Sequence, residues 1–120
     1  MIAGSNTHAL RSSEHTRRVA ALNDAFRRNP SRGQMMATVG VVALGSGALP
    51  AVLQLVREYS DFTANNDPYG EHDLGTMTWN GAKLFWKIDY YDVDLRFASP
   101  DPTDPLVTVR MLTIMLSEEW

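Results

Sequence analysis

The stretch "GTMTWNGAKLFWKID", residues 75–89, decides the fold. It holds two runs of alternating polar and apolar residues on either side of Asn80-Gly81. Asn-Gly favours a two-residue type I′ turn, because both central residues need positive φ. Such a turn fixes the register of the strands that it joins. Trp79 then faces Ala82, Met77 faces Leu84, and Gly75 faces Trp86. Met77, Trp79, Leu84, Trp86 and Ile88 share one face, which goes to the core. Thr76, Thr78, Lys83 and Lys87 share the wetter face, where Phe85 also sits and needs cover. Carried outward, the register sets His72 opposite Asp89 and ties the loop "NDPYGEHDLG", residues 66–75, into the sheet.

Working outward from the hairpin, residues 1–11 read as a loose N-terminal arm and residues 12–120 as a single domain. A helix is expected from Ser13, with Val19, Leu22 and Phe26 as its apolar stripe and Arg17 and Arg28 opposite. Asn29-Pro30 stops it. "QMMATVGVVAL", residues 34–44, is rich in β-branched and apolar residues and reads as a buried strand. "GSG" breaks it, and Pro50 opens a second helix to about Tyr59, with Leu49, Val52, Leu53 and Val56 inward. After Asp89, a two-residue turn would oppose like charges. A four-residue turn, Tyr91 to Asp94, instead pairs Asp89 with Arg96 and Ile88 with Phe97. "SPDPTDP", 99–105, is a stiff loop, and "LVTVRMLTIML", 106–116, is a last, central strand, apolar on both faces. The expected fold class is α+β: an antiparallel-rich sheet of about five strands packed against two helices, in the order α-β-α-β-β-β-β.

The composition of the 120 residues sets further bounds. At 44% hydrophobic the chain can bury a core. It has no cysteine, which excludes disulfides, thiolate zinc sites, iron–sulfur ligation and cysteine nucleophiles. That fits a reducing compartment, and a cytoplasmic location is expected. The start, "MIAGSNTHALRSS", lacks the pattern of a signal peptide. Gly33 to Val56 carries no charge, but Gly40, the glycines of "GSG", Pro50 and two glutamines make it a strand, a turn and a helix rather than a membrane span. The first 59 residues carry a net +4 and the last 61 a net −7, which describes a dipolar surface and disfavours non-specific nucleic-acid binding.

Several constellations could carry chemistry. A row of His72, Asp89 and Arg96 across three strands would place a carboxylate against an imidazole, as in a tuned general base; it would equally serve as a structural hydrogen-bond row. Asp67, Glu71, His72, Asp73, Asp92 and Asp94 are hard-ion ligand types. In an extended segment, however, Glu71 and Asp73 point away from His72, and neither a calcium-loop pattern nor HExxH is present. No metal or other cofactor is therefore expected. "VVALGSGALP", 41–50, resembles a phosphate loop but has Pro50 in place of the third glycine and no lysine after it. Arg17, Arg18, Arg27 and Arg28, with Arg32 beyond, read as a solvated face; nucleic-acid contact through Arg17, Arg18 and Arg28 is the alternative. Tyr90 and Tyr91 sit within a fringe of Asp89, Asp92, Asp94, Asp101 and Asp104, which suits a protein-binding patch.

"NDPYGEHDLG", "FWKIDYYD", the ending "LTIMLSEEW" and "LNDAFRR" near the start resemble a small bacterial family, the domain of unknown function three-seven-six-eight. The resemblance spans residues 17–120 and rests most on Asn66, Asp67, Pro68, Gly70, Glu71, His72, Asp73, Trp86, Lys87, Asp89, Tyr90, Tyr91 and Asp92. It implies no activity and supplies no catalytic residues. It does imply a setting among plasmid and other mobile-element genes. The leading expectation is a small, soluble, non-catalytic protein-interaction domain, in that setting a mobile-element accessory or host-defence modulator. Asp67, Glu71, Tyr90, Tyr91, Asp92 and Asp94 would be its binding residues. The alternative is a metal-assisted hydrolase or other enzyme using His72, Asp73 and Asp89. A protein partner, no membrane, and a monomer or homodimer complete the expectation, since an open sheet edge can pair two copies.

Overall fold

The computed structural model describes residues 3–30 and 34–120, with side chains described from residue 13 onward. Asn80 and Gly81 adopt φ of 52° and 80°, the conformations a type I′ turn demands. They join β2 (Leu74–Trp79) to β3 (Ala82–Tyr91). The register is the expected one: Trp79 opposite Ala82, Met77 opposite Leu84, Gly75 opposite Trp86. Leu84, Trp86 and Ile88 are buried, and Met77 and Trp79 pack against them from the margin.

The last strand, β4 (Val109–Leu116), is central, as its doubly apolar sequence requires. It runs antiparallel to β3 on one side and parallel to β1 (Gln34–Ala37) on the other. The sheet thus has four strands, in the order β1-β4-β3-β2, rather than five. The missing strand is the one expected after the Tyr91–Asp94 turn. Along that stretch there is only an isolated bridge, Tyr91 to Ala98, with the Asp92 N–H donating to Phe97 O and Ser99 N–H to Tyr90 O. Asp89 faces Met111 and Ile88 faces Leu112, so β4 occupies the edge that Arg96 and Phe97 were expected to fill. The physical reason is burial: Leu112 and Ile114 disappear completely, which the polar "DVDLRF" could not match.

Residues 34–44 do not form one buried strand. Gln34, Met35 and Met36 are exposed, and the chain turns at Thr38. Thr38 is extended, and its Oγ1 accepts the Val41 N–H at 3.4 Å, which caps the four-residue helix α2 (Val39–Val42). The helix α3 (Ala48–Glu58) follows. It buries Ala48, Val52 and Val56 and leans Leu53 on the core, while Leu49 remains half-buried. The first helix, α1, spans Ala3–Arg28, so the expected arm is helical from residue 3 onward. No proline and only one glycine, Gly4, interrupts that stretch, and Ser13, the expected start, sits within the helix. The uncharged run that raised the question of a membrane span is divided among β1, α2 and α3. No described helix is long and apolar enough to cross a membrane.

The core lies between the helices and one face of the sheet, where Val41, Val52 and Val56 meet Leu84, Trp86, Ile88, Leu112 and Ile114. The opposite face carries Phe85, which Trp120 covers with ring centroids 5.2 Å apart. Trp120 follows a 3-10 turn, Ser117–Glu119, whose Glu119 accepts hydrogen bonds from Thr38 Oγ1 at 2.6 Å and Leu116 N–H at 2.8 Å. These bonds hold its carboxyl below the usual carboxylate range.

Gly75 makes room for the central side chain. A Cβ at that position would lie 2.3 Å from Trp86 Nε1, and Trp86 is wholly buried. Gly75→Ala is expected to cost about 3 kcal/mol, measured by chemical denaturation with the m-value unchanged.

Candidate functional site

Three polar side chains of α1 fall within its apolar arc. Asn23 and Arg27 follow Val19 at intervals of four residues, and Asp24 adjoins them. Arg27 is 1% exposed, so it is no part of a solvated face, whereas Arg17, Arg18 and Arg28 are exposed. Its Nε–H donates to Val56 O at 2.8 Å and Nη2 to Tyr59 O at 2.7 Å. Those are carbonyls at the C-terminal end of α3, which a helix leaves without internal partners and where a cation is favoured. The guanidinium lies 5.1 Å from the centroid of the Trp86 ring and 5.2 Å from that of Phe62. Nη1 donates to Asp24 at 2.9 Å.

Asp24 continues the chain. Its carboxylate receives His72 Nδ1 at 3.0 Å, and His72 Nε2 stands 3.7 Å from the mostly buried carboxylate of Asp67. The imidazole stacks on Phe62, with centroids 3.9 Å apart and planes within 3°. The expected pairing of His72 with Asp89 does not occur. His72 has φ 56°, which ends strand geometry before Leu74, and the Asp67 carboxylate accepts its N–H at 3.3 Å. Asp89 lies on the opposite face, 2.7 Å from Lys87 Nζ. The acidic residues and His72 do not converge as ion ligands either: among the described residues no three such groups could hold a metal. The two ring nitrogens of His72 instead point at two separate carboxylates.

A second branch runs through Asn23. Its Nδ2 donates to Glu71 O at 2.9 Å and to Tyr90 Oη at 2.8 Å, and its Oδ1 accepts from Arg110 Nε at 2.7 Å. Tyr90 donates to Glu71 Oε1 at 2.8 Å, and Arg110 lies over the Tyr90 ring. Burial pushes the Tyr90 hydroxyl well above its ordinary pKa and that of Arg110 below. Asp73 is also pushed up, by burial first and then by the Glu71 carboxylate. Of the expected site residues, Asp67, Glu71, His72 and Tyr90 thus meet one another beneath α1. Asn23, Asp24, Arg27 and Arg110 complete the network. Asn23 and Arg27 could have been found as polar residues in phase with Val19.

Tyr91, Asp92 and Asp94 belong to a different surface. Met36, Tyr91, Leu95, Met111, Lys87 and Asp89 line an open groove of about 430 Å³ on the sheet face away from the helices. The 92–97 loop rises beside it. Asp92 shapes that loop: its carbonyl accepts Leu95 N–H at 3.0 Å and its Oδ1 accepts Arg96 N–H at 3.0 Å. Leu95 is thereby held at φ 59°, an unfavourable region for a residue with a branched side chain.

Two stability predictions follow from the buried network. Arg27→Met, which keeps the apolar stem but leaves the α3 carbonyls and Asp24 without their donor, is expected to cost about 3–5 kcal/mol in urea unfolding. Asp73→Asn is expected to raise Tm at neutral pH by about 1–3 °C. The folded-state pKa of Asp73 lies above the unfolded one, so its ionisation weakens the fold at high pH; the advantage of the amide should vanish as pH falls below the unfolded value.

No curated protein and no solved structure matches the sequence. A family model does match, over residues 37–119, which include the 66–75 loop, the hairpin and β4 but not α1. The "LNDAFRR" segment counted in the wider resemblance thus lies outside the match, although its Asn23, Asp24 and Arg27 bind residues within it. On this match the chain belongs to the family described as Protein of unknown function (DUF3768).

Proposed function

We propose that the protein is a non-catalytic protein-binding domain that works through the 92–97 loop and the groove beside it. The observation that carries this reading is the exposure of Val93 (60%), Leu95 (44%) and Phe97 (71%) on one short loop flanked by Asp92 and Asp94. Folding buries such side chains when it can, and several large ones displayed together mark a docking surface. The left-handed Leu95 supports the same reading, since backbone strain persists where the surrounding structure enforces it and is common in ligand clamps. The surface fits a partner with an apolar pocket and a basic rim: Val93, Leu95 and Phe97 would enter the pocket, and Asp94 would meet the rim.

The binding set differs from the one read in the sequence. Asp67, Glu71 and Tyr90 are committed to bonds beneath α1, and Asp92 and Asp89 are engaged with Arg96 N–H and Lys87, so Tyr91 and Asp94 are the members of that set carried into this reading. The His72–Asp24–Asp67 chain then serves to hold the 66–73 loop to the helix. A mobile-element accessory or host-defence modulator is the setting that the family resemblance implies for such a domain.

The test is affinity capture from the native host, read by mass spectrometry, with tagged wild type beside Phe97→Ser and Asp94→Lys. Neither substitution touches the Asp92 bonds that shape the loop. Wild type should retain a partner that both variants lose by at least tenfold, at unchanged Tm. Equal recovery by all three would overturn the reading.

A further inference from the structure

The outer edge of β1 is built to meet a copy of itself, and we infer that two chains join there into one continuous eight-stranded sheet. β1 is the terminal strand, with β4 as its only neighbour among the described residues. The bond from Thr38 N–H to Ile114 O at 3.1 Å sets its phase. Backbone groups alternate in direction along a strand, so Gln34, Met36 and Thr38 turn theirs to β4, and Met35 and Ala37 turn theirs outward. That outward edge offers two donors and two acceptors, with no proline in the strand to interrupt it.

Natural sheets guard an open edge with charge, proline or a bulge. Among the described residues, β1 itself carries neither charge nor proline. From Gln34 to Val42 there is no charged residue, and Met35 (41%), Met36 (53%), Val39 (84%) and Val42 (60%) are all exposed. The opposite edge, β2, is different: Thr76 and Thr78 are its exposed residues, and Asp73 and Lys83 stand at its two ends.

The occupant that fits is a second copy. A two-fold axis through Met36 aligns β1 antiparallel with its twin, so that Met35 of each chain exchanges both backbone bonds with Ala37 of the other. Met36 then faces Met36 in a non-hydrogen-bonded pair, whose Cα atoms stand about 4.5 Å apart. A residue on a two-fold axis faces its own equivalent, so a charge at position 36 would repel itself. An uncharged, apolar strand is the sequence that such an axis tolerates. Because Met36 also lines the open groove, the grooves of the two copies would run together across the axis.

The chain has no cysteine, so one can be introduced without background. Met36→Cys should oxidise to a disulfide-linked dimer in good yield, because the expected Cα spacing suits the bond. Thr78→Cys, on the other edge, should not. In sedimentation velocity the wild type should be a dimer through the micromolar range. Ala37→Pro, which removes an outward N–H, and Met36→Lys, which sets like charges on the axis, should both be monomers with unchanged circular dichroism. Met36 is exposed, so its lysine variant remains informative if the proline variant fails to fold. A monomeric wild type, a dimer that survives Met36→Lys, or crosslinking at Thr78 in place of Met36 would each overturn the inference.

Discussion

The guanidinium of Arg27 is the constraint on which the helical layer depends. A cation taken wholly out of water is costly unless its donors are matched. Besides Asp24 on its own helix, its contacts reach other segments: carbonyls at the end of α3, the Phe62 ring and Trp86 of β3. The helix α1 can therefore sit in only one place relative to α3 and the sheet. From Asp24 the order passes to His72 and Asp67, which gives the 66–73 loop its left-handed turn and its fixed position. The acidic, turn-rich 66–73 loop is thus the receiving surface for a helix.

This arrangement gives the molecule two faces of different character. Beneath α1 the polar atoms of Asn23, Tyr90, Glu71 and Arg110 satisfy one another, as a buried network must. On the other face the sheet is open, and polar and apolar groups stand in solvent beside the 92–97 loop. The exposed Val93, Leu95 and Phe97 fall on that second side, and the matched side-chain network on the first. The binding proposed for the open face draws on that difference.

What local chemistry dictates was legible in the residues. Asn80-Gly81 set the turn, the turn set the register, and the alternation from Met77 to Ile88 set the buried face; none of these needs information from distant residues. The apolar run from Val109 to Leu116 likewise announced a central strand, because both of its faces had to be covered. Misreadings arose where two local options lay close in energy. Residues 34–44 satisfied a strand by composition, yet a single Thr38 hydroxyl was enough to start a helix. The segment after Asp92 had passable pairing chemistry, but β4 offered β3 a more apolar partner.

The sequence by itself thus determined the hairpin, the central strand, the α+β class and the family, since each rests on neighbours in the chain or on a run of apolar side chains. Only the tertiary structure decided that His72 meets Asp24 instead of Asp89, that Arg27 is interior, and that Tyr90 and Tyr91 serve opposite faces. Those outcomes depend on which distant group can desolvate a charge at least cost. Asp24 and His72 lie 48 positions apart, and their pairing depends on where the helix sits on the sheet.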